Sequence, residues 1–172
     1  MQKIAILHYA APPVIGGVES VIKHHTRLLE QAGHEVRVVA GRGDTNAIEN
    51  SFYHIPLVGS QHPTIVAMKR SLDKGEVPAY FKTLSFKIEQ QLSEAFDDVD
   101  LIFAHNVCSL HKNLPLRAAL RHYCAKPTSP KLVIWHHDFA WSSARYKNEL
   151  HPGYPWNLLR EDWPEVSPQQ SG

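Results

Sequence analysis

The sequence is poor in cysteine: Cys108 and Cys124 are the only two in 172 residues. They are not spaced as C-x-x-C, so they form neither a disulfide framework nor a four-cysteine metal site, and they fit a reducing compartment with the cytoplasm as default. Long apolar runs are missing too. The stretch after Lys3 is broken by His8, Tyr9 and Pro12-Pro13 well before the ~20 residues a membrane-spanning helix needs, and no A-x-A-like cleavage site follows, so it reads as a strand. Charge of one sign is also absent: 18 Lys and Arg stand against 17 Asp and Glu, which leaves no field that would make nucleic acid the default partner. There is no internal repeat and no low-complexity segment.

What is present suits one α/β domain. With 43% hydrophobic residues, a chain of this length can bury roughly 70% of its unfolded surface around a single core. Ile4-Ala5-Ile6-Leu7-His8 reads as a buried strand bounded by Pro and Gly, and Pro12-Pro13-Val14-Ile15-Gly16-Gly17 as a loop. A helix opens at Val18-Glu19, with Leu28, Leu29 and Ala32 continuing the spacing of Val18, Val21 and Ile22 on one face. Adjacent glycines at a helix start let the backbone approach a bound group, and the first-turn N–H groups favour an anion there. Gly33 ends the helix, and Glu35-Val36-Arg37-Val38-Val39-Ala40 is a second strand, parallel to the first.

The alternation continues. After a turn at Gly41 to Asp44, residues 52–57 read as a weaker strand, whose Pro56 points to an edge or a strand end. From His62 to Asp100 the period is helical: Ile65, Met68 and Leu72 share a face, Gly75 and Pro78 interrupt, and Phe81, Leu84, Ile88, Leu92 and Phe96 resume. Lys69, Arg70, Lys74, Lys82 and Lys87 make this region locally basic; a solvated face is the plain reading and peripheral contact with an anionic membrane the lesser one. Asp100 to His105 is a fourth strand, 110–123 a helix with Pro115 early in it, and Lys131 to Trp135 a fifth strand. Residues 141–172 are rich in Pro, Trp and Tyr and lack a period.

Ligands of parallel α/β sheets bind outside the carboxyl ends of the strands. Three such ends carry chemistry here: the Gly16-Gly17 loop, His105-Asn106 and His136-His137-Asp138. They are expected on one rim.

These residues also carry a resemblance. Pro13-Val14-Ile15-Gly16-Gly17-Val18-Glu19, then Leu28-Leu29 and Ala32-Gly33-His34-Glu35-Val36, resemble the amino-terminal signature of family 4 glycosyltransferases with GT-B architecture. Asp100 to Asn106 is similar to that family's fourth-strand motif ending in histidine, and Trp135-His136-His137-Asp138-Phe139 to its next strand-end motif. The resemblance covers residues 1–140 and is specific as a set. It implies a Rossmann-like first half, the acceptor side of a retaining enzyme that transfers a sugar from a nucleotide-sugar to an acceptor hydroxyl. It implies a second, donor-binding domain that these residues do not include, and a domain truncated before its last strand. Such a half is expected to be inactive alone, since proximity of donor and acceptor supplies ~7–11 kcal/mol in well-oriented cases.

By the same resemblance Gly16 and Gly17 approach the donor diphosphate, and His105 hydrogen-bonds the transferred sugar as a neutral imidazole. Glu19, Asn106, His136, His137 and Asp138 are the acceptor-side candidates, with Glu19 equally explained as a helix cap. No cofactor is implied; the nucleotide-sugar is a substrate. A metal on His136, His137 and Asp138 beside His105 or His111 is disfavoured, because neighbouring strand residues point to opposite faces. His24 and His25 read as exposed or packed, and Cys108 as a small buried thiol. Trp141, Trp156, Trp163, Tyr146 and Tyr154 read as apolar anchors of the tail, with a sugar-stacking surface as the alternative. Two other function classes stay open. A dinucleotide oxidoreductase would share the strand-loop-helix start, but G-x-G-x-x-G is absent and Gly41-Arg42 stands where an acidic residue would end the second strand. A non-catalytic module, or one subunit of a split transferase, is the other.

Overall fold

The structure is a computed structural model that describes residues 1–44, 46 and 52–159; Trp163 of the tail lies outside them. Five parallel strands, β1 (Lys3–His8), β2 (Glu35–Ala40), β3 (Phe52–His54), β4 (Leu101–His105) and β5 (Lys131–Trp135), form one sheet in the order β3-β2-β1-β4-β5. The chain runs outward from β1 to β3, then returns to the other side of β1 with β4. All strands point the same way, so every carboxyl end lies on one rim. The order of travel reverses between β1 and β4, the position at which α/β sheets open a crevice.

Side-chain alternation divides the core between the two faces. Ile6, Val38 and Ala40 pack beneath α1 (Gly17–Gln31), with Val18, Ile22 and Leu29 supplied by the helix. Ala5, Leu7, Val39, Ile102 and Ala104 face the other way, against α2 (Pro63–Leu72), α3 (Phe81–Ala95) and α4 (Leu114–Cys124). Strands covered on both faces read as continuous apolar runs, which is why the sequence shows little alternation in β1 and β2. Residues after β5 return to the second layer: Tyr146, Trp156 and Leu159 are buried in the same core as α3 and α4.

Three expectations need correction. Leu28 is 55% exposed; the sheet-facing stripe of α1 runs through residues 18, 22, 26 and 29, and Leu28 falls outside it. The third strand ends at His54, because Pro56 lacks the N–H a ladder requires and starts a 3-10 turn, Pro56–Val58. The helix expected from Leu110 begins at Leu114, capped by Asn113, whose Oδ1 accepts from Leu116 N–H at 3.1 Å while Nδ2 donates to the carbonyls of Leu57 and Val58. Pro115 does sit in the first turn, where its missing N–H costs nothing. No helix among the described residues is long and apolar enough to cross a membrane.

The rim is built by close backbone approach. Loop 9–12 is stitched to the end of β2 by Gly41 N–H to Tyr9 O, Ala11 N–H to Arg42 O and Asp44 N–H to Pro12 O. A Cβ on Gly41 would lie 2.0 Å from Gly59 N and 2.2 Å from Gly59 Cα, both backbone atoms that cannot swing aside. Gly41→Ala is therefore expected to lower the unfolding free energy by about 1–3 kcal/mol or more, read as a reduced urea midpoint; an unchanged midpoint would show that loop 56–59 gives way freely.

Candidate functional site

The strand ends meet around His105. As the last residue of β4, His105 shares the α1 side of the sheet with Phe103, and exposes 0% of its surface. Its Nδ1 lies 3.1 Å from His137 Nε2. The ring stacks on His137 at 5.4 Å between centroids and on Trp135 at 5.9 Å, with His25 of α1 tilted against it at 5.3 Å. Beneath, His8 at the end of β1 donates its Nδ1–H to the His105 carbonyl at 2.7 Å. Four imidazoles and an indole from β1, α1, β4 and β5 form one cluster.

Its electrostatics follow from burial. Desolvation, then the neighbouring imidazoles of His25, His8 and His137, pull the His105 pKa down to about 3. Desolvation likewise brings His8 to about 4, against the opposing pull of the His105 carbonyl. Both rings are neutral at physiological pH. A neutral imidazole accepts or donates hydrogen bonds and is a poor proton acceptor at so low a pKa, so the cluster is suited to orienting polar groups.

Asn106 turns the corner after β4 in the left-handed region, at φ 58°. Its side chain is not directed at solvent: Oδ1 accepts the N–H groups of His137 at 2.7 Å and Asp138 at 3.3 Å. Its own N–H donates to Trp135 O, and its carbonyl receives the N–H groups of Ser109 and Leu110. Asn106 thus holds the exit of β5 against the end of β4. His137 is exposed and turned to His105, while His136, which also follows the end of β5, packs at 4.9 Å against Phe139, so the two neighbours part. Asp138 Oδ1 accepts from Phe139 N–H at 2.9 Å.

The glycine loop lies on the same rim, at the amino end of α1. A Cβ on Gly17 would meet nothing within 4 Å, so the fold itself does not call for glycine there, whereas a group resting on the helix start would. A Cβ on Gly16 would lie 2.2 Å from Glu19 Oε2: the Glu19 carboxylate folds back over the loop. Ile15, at the loop tip, is 100% exposed. A groove of about 410 Å³ adjoins the loop, lined by Pro13, Val14, Arg42, Asp44 and His54. The larger cavity, about 570 Å³, lies between α3 and α4, lined by Phe86, Glu89 and His122 among others.

His8 was not among the expected site residues, and His25, expected to be exposed or packed, packs against His105 and Trp135. Both were within reach: His8 continues the Ile4, Ile6 alternation onto the α1 face, and His25 continues the 18, 22, 29 stripe toward the sheet. His111 and Cys108 lie elsewhere. His111 bonds Glu149 through Nε2, and with Asp73 these two bring their ligand atoms within 4.8 Å of one another. Lys69 Nζ stands 2.6 Å from Asp73 and 2.8 Å from Glu149, so a cation of the chain already balances the carboxylates. Lys69 therefore belongs to an internal network rather than to a solvated face. Cys108 is fully buried and its thiol is pushed up to about 11, which removes it as a thiolate nucleophile at neutral pH.

Residues 15–165 match the family described as Glycosyltransferase Family 4. Over 91% of its length the chain is 28% identical to Mannosylglucosylglycerate synthase from Thermotoga maritima, and it spans 38% of that protein.

Asn106→Ala is expected to destabilise the chain by about 2–4 kcal/mol, combining left-handed strain with two backbone N–H groups left without their acceptor. Asn106→Gly, which keeps the conformation, should cost less; equal urea midpoints for the two variants would remove the strain component. A second expectation concerns pH. The unfolded chain binds protons at His8 and His105 near 6.5, the folded chain only near 4 and 3, so their contribution is complete above 6.5 and is lost as pH falls through this window. Each pH unit of separation is worth roughly 1.4 kcal/mol per ring. Thermal unfolding between neutrality and pH 5, above the range of the carboxylates, should show a falling midpoint that His105→Gln flattens.

Proposed function

The chain belongs to glycosyltransferase family 4, and we propose that it forms the acceptor-side half of a retaining transferase that moves a sugar from a nucleotide-sugar to an acceptor hydroxyl. The observation that carries the reading is the crevice position between β1 and β4, where the glycine loop at the start of α1 shares a rim with the histidine cluster at the end of β4. The relative named Mannosylglucosylglycerate synthase supports a sugar-bearing acceptor. Because the chain spans 38% of that relative, the donor-binding half is assigned to a partner domain.

In this mechanism the bond from the anomeric carbon to the diphosphate oxygen breaks while the acceptor oxygen bonds to that carbon, and the acceptor proton passes to the departing diphosphate. Charge accumulates on the diphosphate. First-turn N–H groups of α1 and their dipole stabilise it there, with the space over Gly17 admitting the phosphate to the backbone. His105 stays neutral and orients a hydroxyl of the transferred sugar. Since His25, Trp135 and His137 enclose that ring, a sugar reaches it when the half-buried His25 side chain turns away. Glu19, His136, His137 and Asp138 border the acceptor, and Asn106 holds His137 and Asp138 by their backbone N–H groups. Peripheral membrane contact through the basic residues of α2 and α3 is compatible with this arrangement but is not needed for it.

The test uses the longest natural protein containing this chain, incubated with a panel of nucleoside-diphosphate sugars and sugar or sugar-acid acceptors. The expected result is a glycosylated product of retained anomeric configuration. Gly17→Val should lower turnover by about 10²-fold, as displacement of the reacting groups by roughly an ångström does, with the unfolding midpoint preserved. Saturable acceptor binding without transfer would favour a binding module; unchanged turnover in Gly17→Val would remove the phosphate role.

A further inference from the structure

Among the described residues, His105 Nε2 is one of the buried side-chain atoms that the fold leaves without a hydrogen-bond partner. Buried polar atoms in native proteins are nearly always hydrogen-bonded, so an exception calls for a cause. The other ring nitrogen is engaged: His105 Nδ1 and His137 Nε2 stand 3.1 Å apart, and one of the two must donate. Were His137 the donor, His105 would carry its own proton on Nε2, as a buried N–H with no acceptor. Were His105 the donor, its Nε2 would be a bare lone pair, and the proton of His137 would sit on Nδ1 of an exposed ring, where water accepts it. An orphaned buried N–H is the rarer arrangement.

We propose that His137 is a positioning residue for His105: it accepts the His105 Nδ1–H, fixes that tautomer, and leaves Nε2 as an acceptor reserved for a hydroxyl of the bound sugar. The assignment of the hydroxyl rests on the transferase reading; the tautomer does not. Three contacts keep the arrangement from relaxing. Asn106 Oδ1 takes the His137 backbone N–H at 2.7 Å and so places the accepting ring. His8 Nδ1–H holds the His105 carbonyl at 2.7 Å. Trp135 stacks on the His105 ring with 22° between planes, which opposes the ring flip that would exchange the two nitrogens.

Long-range proton–nitrogen NMR correlations on the ¹⁵N-labelled chain at neutral pH, without sugar, report which nitrogen of His105 carries the proton. The expected wild-type spectrum has Nδ1 protonated and Nε2 bare. His137→Phe keeps a ring in the stack but removes the acceptor, and should shift His105 toward the Nε2–H form. His137→Gln, whose amide oxygen can take the same proton, should restore Nδ1–H. A wild-type spectrum with the proton on Nε2 overturns the proposal whatever the variants do, and so does a folded His137→Phe whose His105 nitrogens do not move. In the transferring protein, His137→Phe should lower kcat roughly 10-fold with little change in the acceptor KM, and His137→Gln should recover most of it; an unaltered kcat overturns the hydroxyl assignment. Absence of any transfer in wild type would count against the transferase reading while leaving the NMR result intact.

Discussion

The side-chain oxygen of Asn106 is the contact on which the rim depends. At φ 58° the residue reverses the chain after β4, and in that conformation its amide can reach across to the two N–H groups that follow β5. The backbone donor of Asn106 meets the Trp135 carbonyl in the same movement. A strand end is where ladder hydrogen bonds stop and backbone groups need new partners. Asn106 supplies them for β5, and His137 arrives over His105 as a consequence. Asparagine suits the position because its short polar side chain tolerates the left-handed region and bonds locally. Its place among the acceptor-side candidates is therefore that of a support beneath the surface.

Above that support His8 and His105 are neutral hydrogen-bonding groups. Desolvation, and for His105 then the neighbouring imidazoles, makes a proton harder to add, and the depressed pKa values of His8 and His105 express this. A site of this kind is unsuited to general acid–base work near neutrality. It agrees with a transfer in which the leaving diphosphate receives the acceptor proton and the protein contributes orientation and charge stabilisation. In the proposed transfer the glycine loop and the imidazole cluster would divide these two tasks between β1 and β4, the adjacent strands at which the sheet changes its direction of travel.

Much of the architecture could be read in advance because its causes are local. Short apolar runs marked the five strands, and Gly33, Gly75 and Pro78 marked the helix breaks. The misreadings share a cause in packing. Leu28 has the right residue type but the wrong angle on α1, and Phe52 to Leu57 has strand composition, yet β3 pairs only as far as β2 offers a ladder. Asn113 caps α4, and its amide also closes the carbonyls of Leu57 and Val58, more than 50 residues away. Lys69 and Glu149, 80 residues apart, meet only because the segment after β5 folds back over α2.

The sequence by itself determined the α/β class, the parallel sheet, the glycine loop at a helix start and the histidines at two strand ends, since periodicity and turn chemistry are properties of neighbouring residues. It also carried the resemblance that the family match bears out over residues 15–165. Tertiary structure alone decided which histidine meets which: that His137 and not His136 faces His105, that His8 and His25 join them, and that Asn106 holds rather than touches. Those choices depend on strand order, register and the side of the sheet that α1 covers, and they bring together residues up to 129 positions apart, from His8 to His137, a separation over which no local pattern carries information.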